Sequence, residues 1–220
     1  MIANNTIEQK TIDWFELKWG KIGGTLAKGL HVKSDTLFVE ILSQHIEEFE
    51  PSDSFENEHT QRGNDLEPFA IEYLQAYLKE FTKEEVIFKQ FAWLQSEKNE
   101  LLGISPDGLT EDFKYACETK CLSRKKHTEI LLKDSIPLEY IHQCVHYFTV
   151  NPNLEKLYFC AFRPESVKSF VKELTLESVV NIGTNAKPRS MTIQAVVDYS
   201  IEFARELLIK INNNKDKLSF

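Results

Sequence analysis

The stretch G-I-S-P-D-G-L-T-E-D-F-K-Y-A-C-E-T-K, residues 103–120, decides how this chain is to be read. Asp107 stands between Ser105-Pro106 and Gly108, a turn or bulge signal after the apolar run Leu101-Leu102-Gly103-Ile104. Glu118 and Lys120 lie two apart after Ala116-Cys117. In a β-strand, residues two apart share a face, so a carboxylate and an ammonium point the same way beside an Asp from the neighbouring strand end. Burying such charges is costly unless they are paired or bind a metal. Two carboxylates on adjacent strands make an all-oxygen site suited to Mg2+ or Mn2+. The lysine can hold an attacking water and help deprotonate it. That is the outline of a phosphodiester-hydrolysing site. Either motif alone also occurs as a surface turn or a solvated strand pair; their order and apolar flanks make the combination specific.

Composition fits one soluble unit. The 220 residues are 42% hydrophobic and 27% charged, and no apolar run approaches the roughly 20 residues of a membrane span. The start, M-I-A-N-N-T-I-E-Q-K, lacks a basic-then-apolar signal pattern, which predicts a cytoplasmic protein with no membrane partner. Cysteines 117, 121, 144 and 160 show no zinc or disulfide spacing and are expected to be reduced core residues. The net charge of −8 argues against broad attachment to DNA, because phosphate neutralisation supplies most non-specific affinity. The acidic excess is uneven. Residues 47–58 carry six carboxylates and no Lys or Arg, whereas Arg124-Lys125-Lys126 follow the E-x-K stretch. A local basic rim on an acidic body admits an end-captured or threaded substrate.

Periodicity predicts a helix from Trp14 to about Gly20 capped by Asp13, and one from Asp35 to Phe49 with Leu37, Phe38, Ile41, Leu42 and Ile46 inward. Residues 50–60 read as a solvated loop. A third helix is expected from Asp65 to Phe81, with Phe69, Leu74, Tyr77 and Leu78 as core and Glu67 in its first turn. Strands follow at 85–95, 100–104 and 114–120, then helices at 124–132 and from Pro137 to Val150. On the latter, Tyr140, Gln143 and Tyr147 share a face. His142 and His146 mimic a zinc pair but lack an evident third ligand, so they are read as structural. A hairpin at 156–163 and 167–175 and a helix from Met191 to Ile211 complete the chain.

S-P-D-G-L…E-T-K resembles the signature of the PD-(D/E)xK nuclease superfamily, and within it the lambda-exonuclease-like (YqaJ-type) phage recombination nucleases. Trp14 to Thr25 resembles that family's W-x-x-x-R-x-G-x-I-T-A-S segment, Arg62 to Ala70 its G-x-x-x-E-x-x-A helix, and Tyr140-Ile-His-Gln143 its Y-x-x-Q helix. The resemblance runs from about residue 14 to 163, in the family's order. It implies an α/β fold, a central mixed sheet flanked by helices, as a single nuclease domain over residues 1–220. It implies a 5′→3′ exonuclease on double-stranded DNA ends that releases 5′-mononucleotides, acts as a homotrimer and serves a single-strand annealing protein. Two Mg2+ ions, replaceable by Mn2+, are implied at Asp107, Glu118, the Thr119 carbonyl and Glu67. Lys120 orients the water and Gln143 holds the substrate phosphate. Lys18, standing where the family has Arg, Thr25, where it has Ser, and Ser105 are implied to hold a 5′-phosphate; Tyr140 and Arg124 are placed beside the DNA. The alternatives are an endonuclease or single-strand nuclease on the same fold, and a DNA-binding protein with a dead site.

Overall fold

A computed structural model describes residues 1–4, 6–51, 58–184 and 186–218. The chain opens with β1 (Ile2–Asn4), α1 (Ile12–Lys18), α2 (Ala27–His31), α3 (Asp35–Ile46) and α4 (Glu58–Tyr77), the last running into a π-helical turn at Leu78–Thr82. β2 (Trp93–Gln95), β3 (Gly103–Ile104), β4 (Gly108–Leu109) and β5 (Tyr115–Cys121) follow, then α5 (Arg124–Lys133) and α6 (Leu138–Val150). β6 (Lys156–Phe162), β7 (Phe170–Leu174), β8 (Val179–Asn181), β9 (Ser190–Thr192) and α7 (Ile193–Leu218) close it.

The central sheet has the order β4-β5-β6-β7. β5 pairs with β6 in parallel, whereas β4 and β7 pair antiparallel, so the sheet is mixed. Both its faces are covered, and the period of two sorts the side chains. Leu157, Phe159 and Ala161 join Ala116 and the α6 residues Ile141 and Val145 in the larger core, which reaches α7 at Val196 and Leu207. Tyr158, Cys160 and Phe162 join Cys117 in a second core, closed by Ala70, Leu74 and Leu78 on α4 and its π-turn. β1, β2 and β3 form a separate antiparallel sheet. A parallel bridge between Ile22 and Leu102 ties the N-terminal segment to its end. No helix among the described residues is long and apolar enough to cross a membrane.

Several expectations shift. α1 is capped by Thr11, whose side chain accepts from the Trp14 N–H, and Asp13 instead sits in the first turn, where an acid complements the helix dipole. α4 begins at Glu58 rather than Asp65, which puts Glu67 in mid-helix; polar residues at its start gave no apolar rhythm to read. Residues 52–57 of the expected loop lie outside the described residues. Ala70, Leu74 and Leu78, four apart, carry the buried stripe of α4, so Phe69 is turned out and 58% exposed, not core. Ile46 is likewise exposed, at the end of α3. Over residues 85–95 the expected alternation is real, with Val86 and Phe88 buried and Ile87 exposed. Yet the backbone pairs with another strand only at the Lys89–Leu109 bridge and in β2. α7 continues to Leu218, past Ile211, the last buried position among the described residues.

His31, His142 and His146 are buried where α2 crosses α6. His146 Nε2 lies 2.9 Å from the Ile22 carbonyl and 3.0 Å from that of Gly103, so it is the protonated nitrogen of a neutral ring. His31 Nδ1 and His142 Nδ1 are 3.1 Å apart, an arrangement that needs one donor and one acceptor. Burial holds His142 and His146 at about 4 and His31 well below its usual value. The unfolded chain therefore takes up these protons first, and stability is lost as pH falls from about 6.5 toward 4. For the fully buried His146 the loss approaches about 3 kcal/mol at the lower end. Glu118, raised to about 7, acts in the opposite sense over part of this window. The histidine share is isolated by His142→Gln, which should flatten the fall of urea midpoint between pH 6.5 and 4. A slope equal to that of the parent protein would contradict the cluster's role.

Candidate active site

β5 carries the site because β4 is too short to cover it. β4 opposes only Ala116 and Cys117, leaving the β5 edge beyond Cys117 unpaired on that side. Gly108 lets β4 approach closely: a Cβ there would lie 2.6 Å from Cys117 Sγ and 2.8 Å from Phe88 Cβ. Asp107, the residue just outside β4, then reaches the free edge. Its Oδ2 accepts the Thr119 N–H at 2.7 Å and the Thr119 hydroxyl at 3.1 Å. In a strand, the N–H and C=O of one residue point to the same edge, so the Thr119 carbonyl also faces the Asp107 side and not β6.

Glu118 and Lys120 emerge on the α6 face, as the strand period requires. Glu118 is fully buried and Lys120 keeps a 24% exposed side chain. Glu118 Oε1 pairs with Lys120 Nζ, and Oε2 accepts from the Tyr147 hydroxyl at 2.9 Å. Burial, with the Asp107 carboxylate next in weight, pushes the Glu118 carboxyl up to about 7. Burial would lower the Lys120 ammonium, but the Glu118 and Asp107 carboxylates outweigh it and hold it above its usual range. Two like charges are thus held together with one ammonium between them, a balance a divalent cation would complete.

Glu67 approaches from α4. Burial and the Asp107 carboxylate raise it, while Lys10, 3.6 Å away, opposes; Gln90 Nε2 donates to its Oε1 at 3.2 Å. Among the described residues no three His, Cys, Asp or Glu side chains close into a ready cation cage. An ion here would rest on two carboxylates, a carbonyl and water. The oxygen-only donor set, with Glu118 carrying an uncompensated cost, fits a hard divalent cation.

The other expected residues divide into two groups. Lys18 Nζ lies 3.4 Å from the centre of the Trp14 ring, and Trp14 Nε1 donates to Ser105 Oγ at 2.9 Å and is 2.8 Å from the Ala92 carbonyl. One indole thus links Lys18 to the Ser that precedes Pro106-Asp107. Ser105 gives its own proton to the Ala92 carbonyl at 2.7 Å, and burial lowers the Lys18 ammonium to about 8. Gln143 packs on Gly24, where a Cβ would be 2.9 Å from its Cγ, which brings the exposed Thr25 to the α6 side. Tyr140 stacks on Phe159, centroids 5.8 Å apart, with Lys120 Nζ 5.6 Å from its ring. Arg124 is exposed in the first turn of α5. Trp14 and Tyr147, which bind these groups together, are given no site role in the sequence reading; the signals were Trp14 opening the W-x-x-x-R-like segment and Tyr147 sharing a helix face with Tyr140 and Gln143. The four cysteines are free, with only Cys121 short of full burial.

An Asp at a strand end clamped to an E-x-K strand, in a mixed sheet flanked by helices, defines the PD-(D/E)xK nuclease class. Residues 13–152 match the YqaJ-like viral recombinase domain, and the chain belongs to that family. The fold is that of LHK-Exo in complex with dAMP, with a TM-score of 0.66 at 20% identity over 94% of this chain and 97% of the other. It is equally that of an alkaline exonuclease (LHK-Exo) from Laribacter hongkongensis, with a TM-score of 0.65 at 21% identity over the same shares. A search of curated proteins finds no match.

Proposed function

We propose that this chain is a Mg2+-dependent exonuclease that degrades one strand of linear duplex DNA in the 5′→3′ direction to 5′-mononucleotides. The observation that carries the reading is the Asp107–Thr119 clamp beside the buried Glu118–Lys120 pair at an open sheet edge. Family membership supports a recombination nuclease, and dAMP in LHK-Exo is a mononucleotide, the class of product proposed.

Asp107, Glu118 and the Thr119 carbonyl would hold the cation, and Glu67 would serve a second one. Mg2+ bound there supplies Lewis acidity to the phosphoryl oxygens and offsets the carboxylate charge, with Mn2+ able to substitute. Lys120, kept charged by its neighbours, orients the attacking water. Gln143 holds the scissile phosphate, Tyr140 borders the strand, and Arg124 adds a cation at the rim. The 220 residues act as one nuclease domain, assembled as a homotrimer around the duplex and supplying 3′ single strands to an annealing protein. Digestion of equal masses of linear and closed-circular duplex with Mg2+, with an EDTA control, tests the class. Loss of linear DNA alone is expected; cleavage of circles, or full activity in EDTA, contradicts it.

Polarity rests on Lys18, Thr25 and Ser105. Ser105 has already committed its proton, so Lys18 is left as the principal group for a 5′-phosphate. Lysine binds phosphate as a point charge without the planar fork of arginine, which makes a looser clamp. Duplex with 5′-phosphate ends should be degraded faster than duplex with 5′-hydroxyl ends at low salt, and Lys18→Ala should erase the difference. Equal rates on both ends in the parent protein would remove this pocket.

A further inference from the structure

We infer that Tyr147 is a positioning residue of the cation site, its hydroxyl setting the Glu118 carboxylate and the Asp107 backbone in register; this rests on the nuclease reading above. Tyr147 lies inside α6 and is 1% exposed, so it cannot touch DNA. Its oxygen meets three groups. The Asp107 N–H donates to it at 3.3 Å, Glu118 Oε2 lies at 2.9 Å, and the Cys117 carbonyl at 3.2 Å. A phenol has one proton to give, and the nearer, charged carboxylate takes it in preference to the carbonyl.

The consequence is geometric. Lys120 holds Glu118 Oε1 and Tyr147 holds Oε2, so the carboxylate plane is fixed from both ends. The same hydroxyl accepts from the residue that supplies the other carboxylate, across 40 residues of chain. Asp107 and Glu118 come from β4's end and β5, and α6 is the element that touches both through one atom. A glutamate has three side-chain torsions to restrain, and a buried one without this partner would turn toward Lys120 alone. Partners of this kind orient ligands without touching the ion, and their loss typically costs about 10–100-fold in metal affinity or activity.

The test compares the parent protein with Tyr147→Phe, which keeps the ring and removes the hydroxyl. Mn2+ binding is measured calorimetrically, melting temperature is read with and without Mn2+, and cleavage is titrated with Mg2+. Expected are Mn2+ binding weakened about tenfold or more, a smaller Mn2+-induced rise in melting temperature, an unchanged KM for duplex, and a kcat that recovers as Mg2+ is raised. Unaltered Mn2+ affinity, or a melting temperature lowered equally with and without Mn2+, overturns the inference, since a purely packing role gives that result. If the variant does not fold, 3-fluorotyrosine placed at position 147 retains the hydroxyl. Its fluorine resonance must move on Mg2+ addition, and an unmoved signal overturns the inference. A parent protein that binds no Mn2+ and cleaves nothing overturns the nuclease reading and this inference together; a parent that binds, matched by its variant, overturns this inference alone.

Discussion

Asp107→Asn is expected to abolish cleavage while leaving the protein folded and at least as heat-stable without metal. The amide oxygen can still accept the Thr119 N–H, so the clamp across the sheet edge survives. What disappears is one of two carboxylates held together, and with it the repulsion that ranks next to burial in raising Glu118. The Glu118 carboxyl should then titrate closer to its usual range. Asp107→Ala is the harsher change, because it strands the Thr119 N–H at a cost of about 1–3 kcal/mol. The pair of variants separates catalysis from folding: both should be inactive on linear duplex with Mg2+, and the Ala form alone should melt earlier. Parental cleavage by Asp107→Asn would mean that this carboxylate holds nothing the reaction needs.

The second large effect is at Lys120. Lys120→Ala should lose roughly two to four orders of magnitude in rate, as removal of a general acid–base group does, with Mn2+ binding retained. A stability cost comes with it. Glu118 is fully buried and pairs with this ammonium, and breaking a buried pair from one side typically costs about 3–5 kcal/mol. Because Lys120 is 24% exposed, water can reach the gap and the cost should fall at the lower end. The sign with pH is definite. Without its ammonium, Glu118 is raised further, so the folded state holds that proton more tightly than the unfolded chain and the variant loses stability as pH rises above the usual carboxylate range. Rate measurements at saturating Mg2+, beside urea midpoints at pH 5 and 8, check both parts. Normal cleavage would reduce Lys120 to a strand residue, and loss of Mn2+ binding would make it a structural counter-ion.

The strand carrying the site could be read from its sequence because period-two alternation and chemistry agree there. Ala116, Glu118 and Lys120 must share a face, and they do, in a strand one residue displaced from the expected one. β6 was legible for a different reason, as a short continuous apolar run buried on both faces, and α6 as a long apolar stretch opened by Pro137. What could not be read was structure made by contact at a distance. α2 is five residues around Gly29 with no side-chain cap, and β8 and β9 are three residues each, too short to show a period. α4 begins among charged residues, so its first turns looked like the loop before it. At the candidate site, residue types pointed to Asp107, Glu118 and Lys120, which the fold brings together. They could not give Trp14 between Lys18 and Ser105, or Tyr147 between Glu118 and Asp107, since both links join residues distant in the chain.

Polarity on a labelled end is the most direct measure of the central claim. A linear duplex with 32P on one 5′-phosphate, and a second labelled at the 3′ end of the same strand, are each digested with Mg2+ and sampled from the first turnovers. The account predicts labelled mononucleotide at once from the 5′ label, and a ladder of shortening 3′-labelled strands with mononucleotide only at the end. Immediate mononucleotide from the 3′ label, or internal fragments from both, would contradict it.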